Sequence, residues 1–141
     1  MEKDCGTWIH ILSHMLKKRM NANMQSLGLT GVQSRIMHYI LVKYAEGPVF
    51  QRDVESAFGM SRSTATGILQ LMEKNGLILR KSVASDARLK SLVPTDKAAH
   101  LDAQIGESLR QTEQRLTQGL SDEQIARFLE TAEHMSANLE K

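Results

Sequence analysis

Four basic side chains on two short runs, and a polar helix just before them, are the groups in this chain best placed to do chemistry. Arg80, Lys81, Arg88 and Lys90 face a single acid, Asp86, over residues 77–93. Cations in such excess suit a polyanion, above all a nucleic-acid backbone. Asp86 stands two residues before Arg88, a spacing at which a carboxylate can hold a guanidinium in one orientation. An arginine so held at a hairpin tip suits a narrow minor groove, where the potential is most negative. The plain alternative is a turn aspartate with a surface salt bridge. In the preceding helix, Arg62 could pair bidentately with guanine and Gln70 with adenine. Ser63 and Thr66 lie near them, Ser61 and Thr64 suit phosphate, and Lys74 closes the same face.

These groups need elements to position them. Residues 51–58 predict a short helix with Val54, Ala57 and Phe58 inward, and Gly59 turns the chain. Ser61 caps a helix over 62–75. Its Ala65, Ile68, Leu69 and Met72 share one side, and Ser63, Gly67, Gln70 and Lys74 share the other, with Thr66 beside them. Asn75-Gly76 stops it. Leu77–Ser82 and Leu89–Val93 predict two strands joined by the loop VASDAR. Two helices of these lengths fit a helix-turn-helix, whose second helix enters the major groove. An ordinary helical hairpin with a solvated face is the bland alternative. A basic hairpin following the pair in the right order favours DNA.

Upstream, residues 7–26 carry Trp8, Ile9, Ile11, Leu12, Met15, Leu16, Met20 and Met24 at helical spacing, with Lys17, Lys18 and Arg19 on the wetter side. Gly28 ends that helix. Thr30 and Gln33 form a capping box for a helix burying Ile36, Met37, Ile40, Leu41 and Tyr44, which Gly47-Pro48 stops. Pro48–Phe50 suggests a very short strand. Downstream, Thr95 caps a helix to about residue 117, with Ala98, Leu101, Ile105, Leu109 and Leu116 as its apolar line. A second box, SDEQ at 121–124, opens a last helix expected to bury Ile125, Phe128, Leu129, Ala132, Met135 and Leu139.

Composition narrows the class. The 141 residues suit one domain with helical extensions, and a 41% apolar content suffices for a core. Aromatics are scarce at 4%, and eight methionines serve as gap fillers. Net charge is +2, but residues 1–50 and 51–94 each carry +3 and residues 95–141 carry −4. The acidic end should therefore point away from phosphate. A single cysteine excludes an intrachain disulfide and suits a reducing compartment. The absence of a long apolar run and of a signal-peptide pattern predicts a cytoplasmic protein without a membrane anchor. No catalytic triad, phosphate loop or carboxylate pair is visible, so neither an enzyme nor a cofactor is expected.

Residues 30–98 resemble the winged helix of the MarR family of bacterial transcriptional regulators. The likeness rests on LTGVQSRIMHYI, QRDVESAFGMSRSTATGILQLMEKNGLILR and SDARLKSLVPTDKA. The flanking helices extend it over nearly the whole chain. The expected fold is mainly α with a small β-wing: a winged helix-turn-helix with long N- and C-terminal dimerisation helices. The segments would be 1–29 (dimerisation), 30–94 (DNA binding) and 95–141 (dimerisation). The resemblance implies a homodimer on double-stranded DNA with a pseudo-palindromic operator. It also implies repression, released by a small aromatic, often phenolic, effector whose binding residues the sequence does not identify. By carry-over, 62–75 is the recognition helix and Arg88 the wing-tip residue, steadied by Asp86. Gly67, Pro94 and Ala98 depart from the family pattern.

A partner chain is also the simplest physical cover, because one small lobe offers too little apolar surface for three amphipathic helices; the alternative is a monomer whose helices pack only on themselves. A winged helix that binds protein instead is the first alternative. A redox- or metal-responsive regulator of the same fold is the second. Cys5 is read as an unremarkable thiol ahead of the first stable helical turn. His10 and His14, at i and i+4, are read as solvated or interface histidines rather than metal ligands.

Overall fold

A computed structural model describes residues 2–141. Six helices and one hairpin follow in order: α1 Cys5–Ser26, α2 Gly31–Tyr44, α3 Gln51–Phe58, α4 Arg62–Lys74, β1 Ile78–Val83, β2 Asp86–Pro94, α5 Asp96–Leu116 and α6 Asp122–Leu139. The chain forms two compact units, one ending at Gly106 and the other spanning Glu107–Lys141. This is a mainly helical winged-helix architecture, as expected.

Local signals set the helix ends. Thr30 and Gln33 close their capping box, Thr30 Oγ1 accepting from Gln33 N at 3.1 Å. Ser121 and Gln124 do the same for α6. Ser61 Oγ accepts from Thr64 N at the head of α4, and Thr95 Oγ1 from Ala98 N at the head of α5. Each cap satisfies a backbone donor that the helix itself leaves open. Gly76, after α4, adopts φ +76°, a left-handed turn that side chains resist.

The core of the first unit joins Ile36, Met37 and Ile40 of α2 to Val54 of α3 and to Leu69 and Met72 of α4. Leu77, Ile78 and Leu92 bring in the hairpin, and Ala98 and Ile105 bring in α5. Tyr39 and Phe58 meet edge to face, with centroids 5.6 Å apart. Burial of α4 on one side leaves Ser63, Gly67, Gln70 and Lys74 on the exposed side, as its periodicity predicts.

Five expectations need correction. Tyr44 and Ala57 are exposed, because the buried stripes of α2 and α3 are narrower than their apolar patterns. Pro48–Phe50 forms no strand: Pro48 has no N–H, and Phe50 N donates to Asp53 Oδ2 at 2.9 Å. Only Val49 O bonds across, to Leu92 N at 2.7 Å. The hairpin is longer than its apolar runs, so Asp86 and Arg88 lie within β2 rather than in a loop. Cys5 is the first residue of α1, because Asp4 Oδ1 caps Thr7 N at 2.8 Å. Finally, α6 buries no residue within the chain: Phe128 and Leu129 remain 62% and 60% exposed. On α1, Trp8, Ile9 and Met15 are likewise exposed.

In the second unit, Arg110 hydrogen-bonds Glu107 and holds that carboxyl below its usual pKa, while Arg127 bonds Glu123 one turn away. Such exposed pairs contribute little to stability.

Candidate nucleic-acid interface

The candidate interface comprises α4 and the hairpin that follows it. Arg80 of β1 reaches back to α4, its Nε 3.7 Å from Glu73 Oε1. This contact ties the root of the hairpin to the helix and offsets part of the Arg80 charge. Between α3, α4 and the hairpin lies an open cleft of about 640 Å³. Arg62, Thr66, Gln70, Arg80 and Lys90 line it, joined by Arg52 and Gln51 of α3 and by two acids, Glu55 and Glu73. Four cations against two carboxylates leave the cleft positive. It lies between the exposed face of a helix and a projecting hairpin, as a phosphate strand does between adjacent grooves.

The tip of the hairpin is shaped by its register. Ser82 pairs with Lys90 and Val83 with Asp86, so β2 carries three residues, Ala87 to Leu89, that β1 does not match. A bulge of this kind re-aims a side chain. Here it presents Arg88, whose side chain is 96% exposed. Ser82 braces the bulge: its hydroxyl donates to Ala87 O at 3.1 Å and accepts from Lys90 Nζ at 2.7 Å. Asp86 Oδ1 accepts from Arg88 N at 2.9 Å and lies 3.7 Å from Arg88 Nε. The Asp86–Arg88 relation read from spacing thus has a backbone anchor as well as an ion pair.

The remaining expected residues distribute around the cleft. Ser61, Ser63 and Thr64 sit at the head of α4, where Ser61 Oγ is 3.2 Å from Ser63 Oγ and donates to Thr64 Oγ1 at 3.0 Å. Lys74 closes the far end of α4 and is exposed. Gln51, Arg52 and Ser82 escaped the sequence reading. Arg52 lies over the Phe50 ring at 5.1 Å. A polar residue opening the first helix of a helix-turn-helix was the available signal for Gln51.

Gly67 has no packing reason to be glycine, since an added Cβ would meet nothing within 4 Å. Gly67→Ala should therefore stabilise the chain by about 0.5–1 kcal/mol through helix propensity. Chemical denaturation would show it as a higher midpoint at unchanged slope.

His10 and His14 are exposed on α1. Among the described residues, no three His, Cys, Asp or Glu side chains cluster as a metal site. No helix among them is long and apolar enough to cross a membrane.

Comparison with known proteins bears on this geometry. Residues 27–89 match the model of the MarR family. The crystal structure of the transcription regulator MarR from Oenococcus oeni PSU-1 is 33% identical, covers 95% of this chain and 99% of its own, and gives a TM-score of 0.62. The S. aureus MepR–DNA complex is 22% identical over 92% of this chain and 96% of its own, with a TM-score of 0.79. S. aureus MepR bound to ethidium bromide is 21% identical over 97% of both chains, with a TM-score of 0.75. The two MepR structures share the fold.

Proposed function

The chain belongs to the MarR family of transcription regulators, and from that premise we propose that it is a dimeric, sequence-specific DNA-binding repressor. The observation that carries the proposal is the pairing of a polar α4 face with the bulged Arg88 tip across one cationic cleft. In this reading α4 lies in the major groove and Arg88 probes the neighbouring minor groove, while the cleft receives the phosphates between them. Arg62 and Gln70 read bases, and Ser63 and Thr66 lie beside them. Ser61, Thr64, Lys74, Arg80 and Lys90 contact the backbone, and Asp86 orients Arg88. MepR, which shares the fold, is known in complex with DNA, which supports the reading.

Residues 1–29 and 95–141 would form the dimer and 30–94 the DNA-binding lobe. The exposed apolar residues of α1 and of α6 support this, each being a stripe that a second chain would cover. Two-fold symmetry then sets half-sites about 10 base pairs apart. Release by a small aromatic effector is the matching proposal for regulation, and MepR bound to ethidium bromide is a fold relative holding such a compound.

Selection of bound duplexes from a random pool tests the function, repeated with phenolic compounds, zinc and peroxide. A recovered palindrome supports the repressor. An additive that abolishes recovery identifies the signal. Failure to enrich any duplex at low salt points instead to a winged helix that binds protein. Arg88→Ala should weaken binding to every sequence by about 1–3 kcal/mol. Arg62 or Gln70 substitutions should change sequence preference. Equal operator affinity for wild type and Arg88→Ala would remove the wing from the proposal.

A further inference from the structure

One glutamine sets the hydrogen-bonding polarity of the reading helix. Gln51 opens α3, and its Nε2 lies 2.9 Å from Thr66 Oγ1 and 3.3 Å from Arg62 O on α4. A carbonyl oxygen only accepts, so the atom facing Arg62 O must be the amide nitrogen. The same nitrogen faces Thr66, so the Thr66 hydroxyl is the acceptor there. A helical threonine usually spends its proton on the carbonyl four residues back. For Thr66 that carbonyl is Arg62 O. It already takes the helical N–H of Thr66 and the amide of Gln51, which together fill its two lone pairs. Among the described residues, the Thr66 hydroxyl donates to no protein group. Thr66 is half-buried and lines the cleft, and its neighbour Gly67 has no side chain to screen it.

We propose that Gln51 is a positioning residue that turns Thr66 into a hydrogen-bond donor toward the operator. This rests on the DNA-binding reading above. The base edge facing Thr66 is then an acceptor in the major groove: guanine O6 or N7, thymine O4, or adenine N7. Gln51 touches no base itself. Its role is to take one side of the hydroxyl and leave the proton for DNA.

The test is duplex selection with the full-length chain and four variants, read as base preference at each operator position. Gln51→Met removes the amide without adding charge, and preference at one position per half-site should flatten by about fivefold, the worth of one hydrogen bond. Thr66→Val should flatten the same position, and the double variant should do no more than either alone. Gln51→Glu can only accept. It should take the Thr66 proton and shift that position toward adenine N6 or cytosine N4 donors, whatever its charge does to total affinity. Identical preferences in wild type and all variants, at a recovered wild-type operator, would overturn this inference and leave the DNA-binding function standing. A lower unfolding midpoint with unchanged preferences would make Gln51 a purely structural residue, and also overturn it. Failure of the wild type to enrich any duplex would remove the function and this inference together.

Discussion

Phe128→Asp combined with Leu129→Asp is expected to halve the particle mass in sedimentation, to the 15.8 kDa of one chain. The expectation follows from the proposed dimer. Both side chains stand about three-fifths exposed on α6, where no residue is buried within the chain. Covering a phenylalanine or leucine contributes about 1.5–3 kcal/mol, and a two-fold interface covers each of them twice. Four new carboxylates would lose that gain and add repulsion. Operator affinity should fall about 100- to 10,000-fold, because separate lobes lose the effective concentration that the dimer supplies. The core of the first unit draws nothing from α6, so its helical signal should persist. An unchanged mass would place the dimer contact elsewhere or remove it.

Leu69→Ala should cost about 2–5 kcal/mol of folding stability. Leu69 is fully buried on the inner side of α4, in one core with Ile36, Val54 and Leu92. Truncation there leaves a cavity where three elements meet α4. Against a usual total of about 5–15 kcal/mol the loss is large, and denaturant titration would show a much lower midpoint. Its neighbour Gln70 gives the contrast. Gln70 is exposed, so Gln70→Ala should move stability by less than about 0.5 kcal/mol while changing the bases selected. A large stability loss for Gln70→Ala would contradict the assignment of the two faces of α4.

These two residues mark what a single sequence can tell. The face of α4 was legible because one turn of helix fixes both sides at once, and Ser61, Thr30 and Ser121 were legible because capping is settled within four residues. Asp4 carried the same local signal three residues before Thr7, and it corrects the start of α1. The width of a buried stripe is a different matter: Tyr44 and Ala57 continue an apolar pattern past the point where another element covers it. Periodicity likewise showed that Phe128 and Leu129 want cover, and the small apolar surface of one lobe already pointed to a second chain as its source. The Asp86–Arg88 relation was visible in spacing. The bulge that projects Arg88 was not, because register depends on how two strands pair, and Ser82 looked like any strand serine. Gln51 was hidden for the same reason: its contact with Thr66 exists only once α3 and α4 cross.

The most direct test of the central claim places a cutting reagent on the hairpin tip. In a Cys5→Ser background, Ser85→Cys would carry an iron chelate beside Arg88, and the protein would be bound to its selected operator. Two symmetric clusters of strand cuts should flank the α4 footprint, with the 3′ offset typical of minor-groove attack. Cuts with the opposite offset, or cuts spread evenly along the duplex, would contradict that claim.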